Sequence, residues 1–245
     1  MFSIFSQKQY LLKSDLFHGF TDFHSHILPS VDDGIRCVDD ALKVLSEYES
    51  LGIKRVVFTP HIMEAFPENN TEYLRSEFEK FKSIYDGSIE LHLAAEYMLD
   101  LEFDEYLERG NMLTLMDNYL LVETSYMSPP MNFESTLNEI RSKGYFVVLA
   151  HPERYGYMRE GELEQLKSDG VLFQLNLLSL SGYYGKRVKD RAIYLLDNDM
   201  YNIIGSDLHN LETFQKWISQ ITLKSKQFEK LQRIKEKVDR YLLNR

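Results

Sequence analysis

Short apolar runs alternate with longer amphipathic segments along most of the chain. Seven of these runs have the length of strands, and several, such as VVF, YLLV and FVVLA, are apolar throughout. This pattern is typical of parallel strands that are covered on both faces. The predicted strands are residues 19–26, 54–61, 89–96, 119–124, 145–151, 172–176 and 201–207.

The segments between the predicted strands carry apolar residues at helical spacing. Residues 39–50 form one such segment and are followed by Gly52, a typical helix terminator. Residues 71–85 form another, with Thr71 as the predicted N-cap. Further helices are predicted at residues 133–143, 162–168 and 186–196.

The alternation of strands and helices predicts right-handed βα units and therefore an α/β fold. Seven strands favour a closed or distorted barrel with one strand fewer than the usual eight, and a doubly wound open sheet is the alternative. We expect one domain over residues 1–245, with a core at about 20–210. Residues 221–245 predict a basic amphipathic helix. It would dock on the barrel or contact an acidic partner or anionic lipid.

Histidines and carboxylates follow the ends of the predicted strands, where ligands bind in both architectures. Five of the seven histidines lie there, and His24 and His26 share a face because side chains two apart on a strand point the same way. Converging imidazoles and carboxylates predict a multinuclear metal site. The strand-end candidates are His24, His26, His61, Glu96, Glu123, His151, Asp207 and His209.

Other candidates lie next to these strand ends. Asp33 is the preferred ligand of the Asp32–Asp33 pair, with the neighbouring carboxylate supporting a ligand histidine, although both could cap the next helix. Arg154 can hold a phosphate or pair with Glu153 at the surface. The candidates for gripping an aromatic substrate are Phe66, Tyr97, Tyr126 and Tyr183.

Composition narrows the class of protein. The formal net charge of −10 disfavours a nucleic-acid surface. A single cysteine, Cys37, fits a reducing compartment, and we expect a cytoplasmic protein without a signal peptide or membrane insertion. A cysteine-based phosphatase needs arginine six positions after the nucleophile, where this chain has Lys43. Nucleophilic cysteine chemistry is therefore not expected.

Ordered motifs resemble those of the polymerase and histidinol phosphatase (PHP) superfamily. They are H-x-H at 24–26, TPH at 59–61, Glu96, AHPER at 150–154 and SDLH at 206–209. The longer strings DFHSHILPSVDDG, AAEYMLD, VLAHPERY and IGSDLHN are similar to those of bacterial metal-dependent protein tyrosine phosphatases, which accompany capsular or exopolysaccharide assembly. The resemblance extends over about residues 20–210.

The resemblance implies a distorted (β/α)7 barrel of the PHP type with two or three divalent metal ions, often manganese, with iron, cobalt or zinc as alternatives. It implies that the eight strand-end candidates and Asp33 are ligands, and that Arg154 binds phosphate. The implied substrate is the phosphotyrosine-rich tail of a tyrosine autokinase that controls polysaccharide chain length. Family members often carry a second arginine after the D-x-H histidine, but residues 210–215 contain none, so Lys186 or Arg187 is a candidate replacement.

Two other functions use the same sequence features. A small-molecule phosphatase such as histidinol phosphatase would need the same metal ligands but would prefer small esters. A noncatalytic binding module in polysaccharide assembly would be expected to lack ligands, whereas all nine positions are occupied here. A homo-oligomer is compatible with every one of these functions.

Overall fold

The computed structural model describes residues 8–241, and for residues 239–241 it describes the backbone alone. The strands are β1 (Lys8–Tyr10), β2 (Thr21–Ser25), β3 (Arg55–Phe58), β4 (His61–Ile62), β5 (Glu90–Leu93), β6 (Glu96–Met98), β7 (Tyr119–Glu123), β8 (Phe146–Leu149), β9 (Leu172–Asn176), β10 (Ile203–Gly205) and β11 (Thr222–Lys224). The helices are α1 (Val38–Leu51), α2 (Thr71–Lys82), α3 (Phe103–Arg109), α4 (Phe133–Ser142), α5 (Glu160–Ser168), α6 (Lys186–Asp197), α7 (Leu211–Ile218) and α8 (Ser225–Tyr241).

The strands between β2 and β10 pair in parallel and follow chain order. One sheet has the order β2-β3-β5, and the other has the order β10-β9-β8-β7-β6-β4. A parallel bridge between Ser25 and Leu208 joins the first strand to the segment after the last. This sequential order differs from the reversed order of a doubly wound sheet. The fold is therefore α/β, built on a curved parallel sheet.

Two of the predicted strands are divided in the structure. The run at 54–61 becomes β3 and β4 with Pro60 between them, and the run at 89–96 becomes β5 and β6. Proline has no backbone N–H to donate to a ladder, so it interrupts the strand. The break turns His61 and Glu96 into the first residues of short, directly paired strands.

The core has an outer and an inner layer. The outer layer lies between strands and helices, whereas the inner layer joins alternate strand residues such as Phe23, Val57 and Leu121. Side chains two apart share a face of a strand, so Glu123 continues the inward face of Leu121. The same alternation that builds the inner core thus carries a carboxylate to the open end of the sheet.

Several elements differ from the sequence predictions. Asn70, not Thr71, is the N-cap of α2, because its side chain accepts a hydrogen bond from the Tyr73 N–H. The helix also ends at Lys82 rather than at residue 85. The elements α3 and α7 and the antiparallel pair β1–β11 were not predicted. They are short, so their apolar residues repeat too few times to give a periodic signal.

The predicted C-terminal helix is present, but it begins later than the predicted residue 221. Residues 222–224 form β11, so the helix starts at Ser225, and residues 242–245 lie outside the described part of the chain. Leu231 packs in the outer core and Val238 in the inner core, so α8 docks on the sheet. Within residues 8–241, the helices are too short or too polar to cross a membrane.

Candidate metal centre

The carboxyl ends of the parallel strands bring the predicted ligands together. Their donor atoms form three overlapping groups, in each of which the atoms lie within 4.8 Å of one another. His151 lies outside these groups but touches them, with its Nε2 3.0 Å from Glu96 Oε1. The groups are His24, His26, Glu96 and Asp207; His26, Asp33, His61 and His209; and His61, Glu96 and Glu123.

The first group is the most buried. His24 Nε2 lies 3.1 Å from both His26 Nε2 and Glu96 Oε2. Asp207 Oδ1 lies 3.4 Å from each of the two imidazole Nε2 atoms. All four side chains are at most 2% exposed. Ligands about 2.1 Å from a shared ion are spaced by about 3 Å, which is the spacing seen here.

The other two groups lie nearer the surface. His61 Nδ1 is 3.2 Å from Glu123 Oε1 and 3.3 Å from Glu96 Oε2. Asp33 Oδ1 is 3.5 Å from His61 Nε2 and 3.4 Å from His209 Nε2, and the Asp33 side chain is 62% exposed. Glu96 therefore belongs to both a deep and a shallow group.

Hydrogen bonds fix the histidine rings in the orientation that a metal needs. The Nδ1 atom of His24 lies 3.1 Å from Gln174 Oε1, and that of His26 lies 2.7 Å from Asp32 Oδ2. Both partners are acceptors, so each neutral ring donates from Nδ1 and keeps its lone pair on Nε2. Two such lone pairs then face each other beside a carboxylate.

That arrangement is repulsive unless a cation lies between the donor atoms. Burial also leaves His61 Nδ1 without a hydrogen-bond partner, although carboxylate oxygens surround it. Nitrogen and oxygen donors of this kind suit divalent transition metals. The residues therefore fit a cluster of divalent ions.

The pKa shifts of the same residues are those expected of a site that binds positive charge. Burial lowers the pKa of His24, but the Glu96 and Asp207 carboxylates outweigh it and raise that pKa to about 9. Burial raises the pKa of Glu96, yet His24 and His151 hold it well below its usual value. Without metal, protons on the imidazoles balance the carboxylates.

The Asp32–Asp33–Gly34 turn supports the outer ligands. Asp32 Oδ2 binds His26 Nδ1 and accepts from the His61 N–H at 3.1 Å, while its Oδ1 accepts from the Gly34 N–H. A side chain at Gly34 would place its Cβ 2.2 Å from the His26 carbonyl oxygen. The turn therefore needs glycine to bring Asp32 under His26 and leave Asp33 facing the cavity.

A buried polar network fixes the first and last strands beneath the deep ligand group. Tyr48 donates from its hydroxyl to Asp22 Oδ2 at 2.9 Å, and Asp22 Oδ1 accepts from the Ser206 N–H at 2.8 Å. At Gly205 an added Cβ would lie 2.4 Å from His24 Cβ. Asp207 has a φ of 53°, a strained value held by this packing.

A cavity of about 470 Å³ opens over the ligand groups. Arg154 reaches into it and donates from Nη1 to Asp207 Oδ2 at 2.8 Å. The alternative pairing with Glu153 does not occur, because Glu153 is buried and accepts from the Asn176 N–H and the Tyr201 hydroxyl. The aromatic wall of the cavity consists of Phe66, Tyr126, Tyr183, Tyr184 and Phe214.

Three predicted substrate contacts lie elsewhere. The assignment of Tyr97 to the cavity is wrong, since its side chain is buried and its hydroxyl accepts from the Leu113 N–H. Lys186 and Arg187 line a separate surface depression, where Lys186 pairs with Asp190 and Arg187 donates to the Gly156 carbonyl. The structure does not bring these two residues to the metal ligands.

Three residues that contact the candidate ligands or Arg154 were not predicted from the sequence. Gln174 bonds His24, Asn176 donates to Asp207 Oδ2 at 2.7 Å, and Tyr184 covers Arg154. The available signal was the FQLN run, where two amide side chains occupy the carboxyl end of a predicted strand. Amides at that position deserve the same scrutiny as histidines.

The parallel sheets and the three groups of candidate ligands define an α/β protein with a candidate metal centre at the carboxyl ends of its strands. A family model described as "Capsular polysaccharide synthesis, CpsB/CapC" matches residues 20–233. The chain belongs to this family.

Several characterised proteins are similar to this chain. Tyrosine-protein phosphatase YwqE of Bacillus subtilis (strain 168) is 30% identical over 198 residues, which cover 78% of each chain. Tyrosine-protein phosphatase CpsB of Streptococcus pneumoniae is 29% identical over 211 residues, which cover 81% of this chain and 86% of CpsB.

Solved structures give the same picture. A structure from a study of YwqE from Bacillus subtilis and CpsB from Streptococcus pneumoniae, described as unique metal-dependent tyrosine phosphatases, superimposes with a TM-score of 0.73. It is 26% identical and covers 89% of this chain and 86% of its own. A histidinol phosphate phosphatase from Lactococcus lactis, at 14% identity and a TM-score of 0.51 over 89% of this chain and 93% of its own, shares the fold.

Proposed function

We propose that the protein is a metal-dependent protein-tyrosine phosphatase that acts on a tyrosine autokinase of capsular or exopolysaccharide synthesis. The observation that carries this function is the convergence of nine candidate ligands at one end of the sheet, where seven of them line a cavity together with Arg154. The family match and the names of the similar proteins supply the substrate class.

The proposed cofactors are two or three divalent ions, with manganese favoured and iron, cobalt or zinc as alternatives. Three donor groups support this number, and Glu96, which has two carboxylate oxygens and belongs to two of the groups, is suited to neighbouring ions. Carboxylate oxygens suit manganese, whereas the histidines also suit iron, cobalt and zinc. When bound, such ions supply Lewis acidity and lower the pKa of water.

The protein residues bind and orient the phosphate ester. Arg154 directs its free N–H groups to nonbridging phosphate oxygens, and so offsets charge in the transition state. The leaving group is a phenolate, whose conjugate acid has a pKa of about 10, so it departs with less help from a general acid than an alkoxide would need. Cys37 is exposed and outside the cavity lining, so no covalent phosphoenzyme forms there.

Aromatic side chains account for the proposed preference for tyrosine. Phe66 lies on the wall of the cavity, with its ring parallel to that of His61 at a centroid distance of 5.9 Å. Tyr126 and Tyr183 line the same cavity. A phenyl ring entering between them gains apolar and stacking contacts that phosphoserine lacks.

Three further parts of the proposal concern the barrel, the cellular location and the partner. A distorted (β/α)7 barrel is supported by the sequential strand order and the Ser25–Leu208 bridge. A cytoplasmic location is supported by the single cysteine of the chain. The kinase partner is supported by the family's role in capsular polysaccharide synthesis.

The test compares three esters with one protein. Purified protein is stripped of metal, reloaded with Mn²⁺ and assayed on a phosphotyrosine peptide, the matching phosphoserine peptide and histidinol phosphate. His151→Ala removes a residue that contacts Glu96, and Arg154→Ala removes the proposed phosphate donor. We expect Mn²⁺-dependent hydrolysis of the phosphotyrosine peptide, which both substitutions reduce.

The alternatives give different results in the same assay. Faster turnover of histidinol phosphate would contradict the protein phosphatase function and move the activity to small molecules. No turnover of any ester with Mn²⁺, Fe²⁺, Co²⁺ or Zn²⁺ would contradict catalysis and favour a binding module.

A further inference from the structure

The guanidinium of Arg154 lies between two tyrosine rings. Its central carbon is 4.2 Å from the ring centroid of Tyr126 and 4.2 Å from that of Tyr184. The arginine side chain is 17% exposed despite its place in an open cavity.

The order of the strands creates this arrangement. Tyr126 follows β7, Arg154 follows β8 and Tyr184 follows β9, and these three strands are neighbours in the order β7-β8-β9. The loop of the middle strand is thus flanked by loops from both sides. Each flanking loop contributes one aromatic ring to the arginine.

More aromatic rings support the outer side of each tyrosine. Tyr126 stacks on Tyr155 at a centroid distance of 5.9 Å. Tyr184 contacts Tyr183 edge-on at 4.6 Å, and Tyr183 in turn contacts Trp217 at 5.5 Å. The two rings against the guanidinium are therefore held in place by further packing.

The contacts of Arg154 among the described residues leave part of its guanidinium edge free. The N–H groups point outward in the plane of the group, and both tyrosine rings lie against its central carbon. Nη1 is bonded to Asp207 Oδ2, which also accepts from Asn176. Asp207 Oδ1 points the other way, toward the ligand histidines. The remaining N–H groups lie in the same plane and are available to an anion in the cavity.

We propose that Tyr126 and Tyr184 are positioning residues that clamp Arg154 through their ring faces, so that its free N–H edge is fixed for a phosphate group. The inference rests on the phosphate-binding role proposed above for Arg154. A flexible arginine loses conformational freedom when it binds an anion, and a clamped arginine has already lost it. The rings also stabilise the cation in a site of low exposure.

The ring faces, not the hydroxyl groups, carry this role. The Tyr126 hydroxyl lies 3.4 Å from Glu123 Oε2, and the Tyr184 hydroxyl lies 3.2 Å from Asn176 Nδ2. Phenylalanine keeps the ring and removes these contacts, whereas leucine removes the ring. The two replacements therefore separate stacking from hydrogen bonding.

The experiment is a double-mutant cycle on the metal-loaded, full-length protein. The dissociation constant of inorganic phosphate is measured by calorimetry, kcat and KM are measured with the phosphotyrosine peptide, and metal content is checked for each variant. The variants are Tyr126→Leu, Tyr184→Leu, Tyr126→Phe, Tyr184→Phe and each leucine variant combined with Arg154→Ala. Tyr119→Leu is the matched control, since its ring lies at the start of β7, stacks on Phe146 and is outside the cavity lining.

We expect each leucine variant to weaken phosphate binding by about 5- to 30-fold, in line with a desolvated cation–π contact. The phenylalanine variants and Tyr119→Leu should stay within about twofold, and the leucine effect should vanish in the Arg154→Ala background. An equal leucine effect with and without Arg154 would overturn the clamp, and so would an equal loss in the phenylalanine variants. If Tyr184→Leu folds poorly, Tyr184→Met repeats the cycle with a longer side chain.

The same data separate the clamp from the proposed function. Phosphate binding that depends on the rings through Arg154, in a protein that does not hydrolyse phosphotyrosine, would sustain the clamp and refute the phosphatase function. Hydrolysis of phosphotyrosine with no coupling between the rings and Arg154 would do the reverse. A wild-type protein that binds no phosphate would refute both.

Discussion

Charged side chains are buried at both ends of the curved sheet, but they are satisfied in different ways. At the carboxyl end, imidazole and carboxylate donors face one another, and His61 Nδ1 lacks a hydrogen-bond partner. At the amino end, Lys230 is 4% exposed and donates to the Asp197 carbonyl at 2.7 Å and to Asp199 Oδ2 at 2.6 Å.

The difference separates a site from a structural contact. Lys230 joins α8 to the turn before β10, and the protein itself supplies its acceptors. The candidate ligands at the carboxyl end include two ring nitrogens, His61 Nδ1 and His151 Nδ1, without a hydrogen-bond partner among the described residues, which suits a site for an external cation. Burial of charge alone therefore does not identify a functional site.

Removing a ligand should have the largest effect. His24→Ala deletes the imidazole that contacts His26, Glu96 and Asp207. We expect loss of bound metal and a fall in phosphotyrosine hydrolysis of about 10³-fold or more, because bound ions would supply Lewis acidity and charge stabilisation to the reaction. Metal analysis of the purified variant and steady-state kinetics measure the two effects.

The matched control for this variant is His92→Ala. His92 also lies on a strand, but it is exposed, and its ion-pair partner within residues 8–241 is Glu90. Its replacement should leave metal content and activity unchanged. Retention of full activity in His24→Ala would contradict the assignment of the deep ligand group.

Breaking the contact at the amino end should affect stability instead. Lys230→Met leaves the Asp197 carbonyl without its donor, at a cost of about 1–3 kcal/mol in the free energy of unfolding. Metal content and activity of the folded variant should match the wild type. Urea unfolding with and without added metal measures the stability change.

Lys226→Met tests whether the amino-end effect is specific. Lys226 lies on the same helix and is exposed, so its replacement should change stability by less than about 0.5 kcal/mol. A loss of metal in Lys230→Met would show that the two ends of the sheet are coupled, and would contradict a purely structural role for Lys230.

The sequence predicts the ligands better than their supports because the two rely on different information. His24 and His26 are two residues apart on one strand, so local periodicity places them on one face. Gln174, which orients His24, is 150 residues away. The Asp22–Ser206 contact joins segments 184 residues apart. Such pairs are brought together only by the complete order of strands.

Strand alternation already argues against the prediction that Tyr97 lines the cavity. Glu96 faces the cavity, so strand alternation places the next residue, Tyr97, on the opposite face, where its hydroxyl meets Leu113. Thr71 and Asn70 are both good capping residues, and sequence gives no reason to choose between neighbours. The clamp on Arg154 needs three loops at once, so no local pattern reveals it.

A half-buried lysine at the amino end gives the smallest expected effect and extends the contrast between the two ends of the sheet. Lys167 lies at the amino end, where its ammonium group donates to the amide oxygen of Asn202 and has no carboxylate in the contacts described. Burial lowers the pKa of Lys167 from 10.5 to about 8. It thus differs from Lys230, which has an anionic partner, and from the candidate metal ligands, whose imidazole and carboxylate groups face one another.

The sign of the pH effect follows from that shift. Between about pH 8 and pH 10.5 the unfolded chain keeps a proton on Lys167 that the folded protein has released, so stability rises with pH across this interval. Below pH 8 both states are protonated and the full penalty of burial remains. Lys167→Met removes the penalty, so the difference in stability between variant and wild type should be greatest near pH 7 and shrink toward pH 10.5. Urea unfolding at several pH values measures this difference, and a constant difference would mean that the Asn202 amide already compensates the buried charge.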